Sequence, residues 1–213
     1  MRCTTLLLTS SGAVYGAQPP YLDRLPEDWH GMPDPLNAAH AYGVAKRAAE
    51  HLCSLYSETF GLHTVIARCF AFVGPDLPLS AHFAIGNFIR DALWCDAINV
   101  SGDGTPLRSF LDQRDLARWL ITLLLHGQFG QAFNVGSDHV LSIADLAHLV
   151  RDTRAPDKSV QLLGQPLPNG SRNLYVPDIQ KAQSALGLRV DISLKDSIIA
   201  AASAARRRGP QPC

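Results

Sequence analysis

Residues 4–16 read Thr4-Thr5-Leu6-Leu7-Leu8-Thr9-Ser10-Ser11-Gly12-Ala13-Val14-Tyr15-Gly16. Thr4 to Thr9 is a short, apolar, β-leaning run that stops at Ser10-Ser11-Gly12. Hydroxyls and a glycine replace aliphatic side chains where a buried strand reaches the end of a sheet, so this stretch predicts such a strand.

Working outward, Gln18 to Pro35 is polar and proline-rich and predicts a surface loop. Asn37 opens a helical pattern that runs to Gly61, a residue suited to a C-terminal stop. Ala45, Ala48, Ala49, Leu52, Cys53 and Tyr56 recur at the spacing of one apolar stripe, with small members that let another layer approach closely. Thr64 to Phe70 predicts a second strand, ending at Gly74-Pro75. Beyond it, Ala84–Trp94 predicts a helix, Ile98–Ser101 a strand, Gly102-Asp103-Gly104 a turn and Leu116–Leu125 a helix. Ala132–Val135 then predicts a strand, and Ile143–Val150, Ile179–Leu186 and Leu194–Ala205 predict helices before a solvated Arg206-Arg207-Arg208 end. Strands alternating with helices define an α/β chain built on a parallel sheet.

Composition narrows the function. A chain of 213 residues, 46% hydrophobic and 18% charged, has the profile of a soluble globular protein. Lys plus Arg and Asp plus Glu balance at 19 each, which gives no reason to expect nucleic acid. The five cysteines are scattered and odd in number, the pattern of free thiols in a reducing cytoplasm. None of the eight histidines has metal-ligand spacing, so no metal is expected. Leu6 to Leu8 is too short for a signal peptide, and no apolar run has the length to span a bilayer, so a cytoplasmic protein is expected.

Three segments carry potential chemistry: Ser10-Ser11, Tyr42-Gly43-Val44-Ala45-Lys46, and Arg68 to Pro75. A tyrosine and a lysine four apart share one helix face, one turn from each other. A phenol ordinarily titrates near pH 10, and an ammonium close by favours the phenolate. Such a pair can take the proton from a sugar hydroxyl while hydride leaves the same carbon. A strand-end hydroxyl such as Ser11 can stabilise the charge that develops on that oxygen. Taken alone, a Tyr-Lys pair at this spacing is weak evidence, because both residues are common on helices. Its order and company strengthen it.

Residues 9–16 (TSSGAVYG), 42–46 (YGVAK), 68–75 (RCFAFVGP), 102–117 (GDGTPLRSFLDQRDLA) and 133–137 (FNVGS) together resemble the extended short-chain dehydrogenase/reductase family. Its members are nucleotide-sugar epimerases, dehydratases, decarboxylases and reductases. The resemblance runs from about Leu6 to Leu188 and implies a partial Rossmann-like parallel sheet with a small α+β substrate-binding domain. Residues 1–78 would be the C-terminal part of the cofactor domain; 79–213 would be mainly substrate-binding, with some segments returning to the sheet. It implies NAD, in preference to NADP, a nucleotide-diphosphate sugar as substrate, and a homodimer formed through the helix that carries Tyr42. No nucleic acid, membrane or metal is implied.

Carried over residue by residue, the resemblance makes Tyr42 the catalytic base and Lys46 its partner, with Lys46 also holding the nicotinamide ribose. Ser11 takes the place of the catalytic Ser/Thr. Ser10, Phe70 and Val73, with the backbone that runs on to Gly74, would line the cofactor site. Asn87, Arg108 and Arg172 would contact the sugar diphosphate, where a guanidinium fork suits phosphate better than an ammonium does. Asp115 reads as a structural residue, orienting the loop before its helix. His40 and His51 read as surface residues, Trp119 as core, Asp103 as a turn former and Cys69 as an inert buried thiol.

Two departures from the family pattern matter. Ala71 stands where many members have asparagine. Gly12-Ala13 follows Ser11, where 4,6-dehydratases carry Asp-Glu and decarboxylases typically keep the Glu. That pair leans the expectation toward epimerase or keto-reductase chemistry through a 4-keto sugar, with dehydratase or decarboxylase chemistry as the alternative. No glycine-rich GxGxxG turn occurs in the sequence. A chain N-terminally truncated relative to the family is therefore expected, with weak NAD binding, and a catalytically inactive remnant is a further alternative.

Overall fold

The computed structural model describes residues 4–80, 83–165, 173–210 and 212. Strand β1 (Thr5–Ser11) ends in a 3-10 turn, Gly12–Tyr15, capped by the Ser11 hydroxyl, which accepts from the Ala13 N–H at 3.2 Å. After the loop, Asn37 caps a second 3-10 turn, Ala38–His40, that leads into α1 (Ala41–Phe60). Helix α1 stops at Gly61, whose positive φ of 65° suits a residue without a Cβ. Next come β2 (His63–Cys69), β3 (Phe72–Val73), α2 (Ala84–Trp94) and β4 (Ala97–Val100). They are followed by β5 (Leu107–Arg108), β6 (Leu111–Asp112), α3 (Gln113–His126) and β7 (Gln131–Val135). The chain then forms β8 (Leu141–Ser142), α4 (Ile143–Arg154), β9 (Ser159–Leu162), β10 (Leu174–Tyr175), α5 (Gln180–Leu186) and α6 (Leu194–Arg208).

The principal sheet is parallel, in the order β1-β2-β7, with β1 at one edge. Its register places Ser10, Arg68 and Asn134 in one row across the three strands, and Ser11, Cys69 and Val135 in the next. Because successive strand residues face opposite sides, these rows point to opposite faces. On one face, Val65, Ala67, Phe133 and Val135 pack with Leu111 and with Trp119 and Leu123 of α3. On the other, the polar row meets α1. Arg68 Nη2 lies 2.8 Å from Glu50 Oε2, Ser10 Oγ donates to Glu50 Oε1 at 2.5 Å, and Arg68 Nη1 donates to the Tyr15 hydroxyl at 2.9 Å. Tyr15 in turn donates to Asn134 Oδ1 at 2.8 Å. This network locks the register of α1 against the strands.

A second core joins α2, α4 and α6 over the parallel pair β4–β9, around Phe88, Ile89, Ile98, Leu146, Val150 and Ile198. Strand β5 connects the two regions, pairing in parallel with β10 and antiparallel with β8. Among the described residues no helix is long and apolar enough to cross a membrane.

The apolar stripe expected on α1 does not face the sheet. Its buried positions are Gly43, Glu50 and Cys53, while Ala45, Ala48, Leu52 and Tyr56 are exposed. The polar row of the sheet selects the face that carries Glu50, so ionic pairing overrides apolar periodicity. The cysteine expectation also needs correcting at one position. Cys53 and Cys69 are free thiols, whereas Cys95 is disulfide-bonded, and Cys3 and Cys213 lie outside the described residues.

Candidate active site

Helix α1 runs back along β1, so its first turns lie over the strand's C-terminal end, the end at which open α/β sheets bind their ligands. Lys46 Nζ donates to the Thr9 carbonyl at 2.7 Å and sits 5.8 Å from the centre of the Tyr42 ring. Tyr42, one turn earlier, is 60% exposed and lines an open cavity of about 890 Å³ with Ala13, Gln18, His40, Arg108 and Tyr175. The close approach of α1 to the turn after Ser11 depends on Gly43, where a Cβ would stand 2.6 Å from the Ala13 carbonyl oxygen.

Ser11 is buried, and its hydroxyl accepts from the Ala13 N–H at 3.2 Å. Tyr175 pairs with Arg108 across β10 and β5, stacks 4.7 Å from the Phe70 ring and has the Arg108 guanidinium 5.9 Å from its ring centre. Burial pushes the Tyr175 phenol up to about 12, against the opposing hydrogen bond to Ser11, so it is protonated at neutral pH. Burial likewise lowers the Arg108 guanidinium from its ordinary value, with Tyr175 opposing. Arg108 Nη1 donates to the Leu107 and Asn173 carbonyls at 2.8 and 3.1 Å, which fixes a cation on the cavity wall.

The remaining sequence candidates divide. Ser10 shares the row of Arg68, and its hydroxyl is bonded to Glu50, on the face opposite Ser11. Phe70 is buried between Tyr15 and Tyr175 and lies at the root of the site. The Val73 side chain is fully buried in the second core, so only its backbone can reach a ligand. Asn87 is half-buried near the start of α2, outside the lining of the cavity. Arg172 lies outside the described residues; Asn173, next in the chain, lines the cavity. His40 lines it too, with Nδ1 accepting from the Asp34 N–H at 3.0 Å. Burial pushes the Cys69 thiol up to about 11, with Lys46 opposing, which leaves it a poor nucleophile. Asp115 accepts from the Asp191 and Ile192 N–H groups and from Arg118, so it anchors the loop before α6 instead of the loop before its own helix.

Tyr175 is the residue that sequence reasoning missed. It stands on a two-residue strand with no periodicity to betray it. One local signal pointed to it, the glycine at position 12. A Cβ built there would stand 2.6 Å from the Tyr175 hydroxyl and 2.7 Å from Phe70 Cζ.

Residues 1–136 match the NAD dependent epimerase/dehydratase family, and the chain belongs to that family. UDP-glucuronic acid decarboxylase 6 of Arabidopsis thaliana is 31% identical over 193 residues, which are 91% of this chain and 55% of the relative. The chain thus spans about half the length of the curated relatives it matches. Among solved structures, RMD from Pseudomonas aeruginosa complexed with NADPH superposes with a TM-score of 0.81 at 29% identity, covering 96% of this chain and 67% of that one. UDP-glucuronic acid 4-epimerase from Bacillus cereus in complex with NAD gives 0.79 at 26%, covering 96% and 62%. The fold is therefore a mixed α/β arrangement of Rossmann type.

Proposed function

We propose that this chain carries the proton-transfer and sugar-binding part of an NAD-dependent oxidoreductase acting on a nucleotide-diphosphate sugar, and that its reaction is of the epimerase type. The observation that carries this reading is the cavity that joins Tyr42 and Arg108, with the Lys46 ammonium fixed beside Tyr42 by the Thr9 carbonyl. In it the Tyr42 phenolate takes the proton from a sugar hydroxyl, Ser11 donates a hydrogen bond to the same oxygen, and Arg108 holds the diphosphate. NAD, when bound, would supply the hydride acceptor and donor that oxidation and re-reduction of the sugar carbon require. Tyr42 would give its proton back to the sugar oxygen in the reverse step, which inverts the carbon if the opposite face is reduced.

The residues fit the nicotinamide end of the cofactor, where Lys46 and Tyr42 lie together. Gripping the pyrophosphate calls for a glycine-rich turn at a helix N-terminus, a motif that the 213 residues do not contain. Assays therefore carry NAD in large excess.

Epimerisation is favoured because Gly12 and Ala13 offer no acid or base beside Ser11, as elimination of water would need. A second reading, decarboxylation, is supported by the 31% identity to a UDP-glucuronic acid decarboxylase. Incubation with UDP-glucuronic acid and NAD, followed by product analysis, separates them. Epimerisation yields the 4-epimer with its carboxylate kept, decarboxylation yields carbon dioxide and a UDP-pentose, and recovery of unchanged substrate contradicts both.

The homodimer reading draws support from the exposed side of α1, where Leu52, Leu55, Tyr56 and Phe60 stand in solvent. Sedimentation equilibrium should give twice the chain mass, and a Leu52→Glu/Tyr56→Glu variant should give the monomer. A monomeric wild type would count against it.

A further inference from the structure

No spacing in the sequence pairs His40 with another residue, yet the structure puts its half-buried side chain on the cavity wall, two residues ahead of Tyr42. The chain around it is tied into a short knot. The Asn37 N–H donates to the Asp34 carbonyl at 3.2 Å, and the His40 N–H to the Asn37 carbonyl at 2.9 Å. The Asn37 carboxamide accepts from the Ala39 N–H at 3.0 Å. The Asp34 N–H closes the knot on His40 Nδ1, also at 3.0 Å.

That last bond fixes the chemistry of the ring. A nitrogen that accepts from a backbone N–H carries no proton, so the neutral imidazole holds its proton on Nε2. His40 Nε2 has no partner among the described residues and is not shut away from solvent. A donor whose tautomer and turn are set before a ligand arrives meets an acceptor with little freedom left to lose.

The cavity draws its polar wall from two parts of the chain. Ala39, His40 and Tyr42 supply one part, at the entrance to α1, and Arg108, Leu174 and Tyr175 the other, on β5 and β10. A nucleotide sugar whose diphosphate is held by Arg108, and whose hydroxyl is served by Tyr42, has its hexose beside the first part. We propose that His40 is a specificity-determining residue that donates its Nε2–H to an oxygen of the hexose, next to the one that Tyr42 serves. This rests on the reading of the site given above. The contact selects among sugars and contributes nothing to the hold on the nucleotide.

The test compares the wild-type chain with His40→Asn. Asparagine keeps an acceptor at the δ position for the Asp34 N–H and removes the ε nitrogen, so the thermal midpoint should stay within about 3 °C. In calorimetric titration without NAD, the Kd for UDP-glucuronic acid should rise about 3- to 10-fold in the variant, with the Kd for UDP within about twofold of the wild type. A merely structural role would weaken both ligands together. That result, or equal affinity of the two proteins for UDP-glucuronic acid, overturns the proposal. The two-bond proton–nitrogen NMR spectrum of the neutral His40 ring should show the Nε2–H tautomer, and the Nδ1–H tautomer would overturn the proposal as well. A wild type that binds neither ligand contradicts both this contact and the reading of the site. A wild type that transfers no hydride to NAD, while His40→Asn still loses sugar affinity, removes the oxidoreductase reading and leaves the sugar contact of His40 standing.

Discussion

Lys46 Nζ is bonded to the Thr9 carbonyl oxygen, 2.7 Å away and two residues before Ser11 on the same strand. The contact ties the middle of the helix's second turn to the end of β1, and Tyr42, one turn earlier, inherits its place from it. Lys46→Met removes both the charge and the tether. Turnover should fall by about 10²- to 10⁴-fold, the range for disabling a general base. Lys46→Arg keeps the charge but brings a planar fork to a site built for one donor, so an intermediate loss is expected. Equal kcat/KM for wild type and Lys46→Met would remove Lys46 from the chemistry.

The Arg68–Glu50 pair is the chief link between α1 and the sheet, with side-chain exposures of only 16% and 11%. Removing one partner of a buried pair leaves the other charge uncompensated. Arg68→Met should therefore cost about 3–5 kcal/mol in urea unfolding. The double variant Arg68→Met/Glu50→Met should be more stable than Arg68→Met alone. Simple additivity of the two changes would show that the pair is not coupled.

Asp112 caps α3 and accepts from Arg114 and from the buried Ser197 hydroxyl at 2.6 Å. Burial alone would raise its carboxyl, but the hydrogen bonds from Arg114 and Ser197 outweigh burial and hold it below the usual range. A folded-state value beneath the unfolded one, about 3.9, means that its contribution is complete above that value. The contribution is lost as pH falls through the folded-state value. Asp112→Asn should be less stable than wild type by about 1–3 kcal/mol at pH 7. The gap should begin to narrow below about pH 4, where the unfolded-state carboxyl takes up its proton, and go on narrowing as pH falls to the lower folded-state value. A gap independent of pH in urea unfolding would show that ionised Asp112 contributes nothing.

How far the sequence could be read depends on how local each signal is. The breaks at Ser10-Ser11-Gly12 and Gly61, and the helix Ala84–Trp94, follow from neighbouring residues and were legible. The buried side of α1 was not, because it is chosen by Arg68 and Ser10, 18 and 40 residues from Glu50. Strands β3, β5, β6, β8 and β10 are two residues each, too short to show alternation, and Tyr175 went unseen with them. The placement of Ser11 at a strand end and of Tyr42 and Lys46 one turn apart on α1 was legible because strand ends and helix spacing are local features. The hydroxyl beside Gly12 was not, because it arrives from a distant part of the chain.

The most direct test of the whole account follows hydride transfer from UDP-glucuronic acid deuterated at C4, with NAD in large excess, comparing the wild type with Tyr42→Phe. The wild type should move deuterium onto the nicotinamide, and the variant should do so at least about 10³-fold more slowly. Deuterium transfer by Tyr42→Phe at the wild-type rate, or none by the wild type, would contradict it.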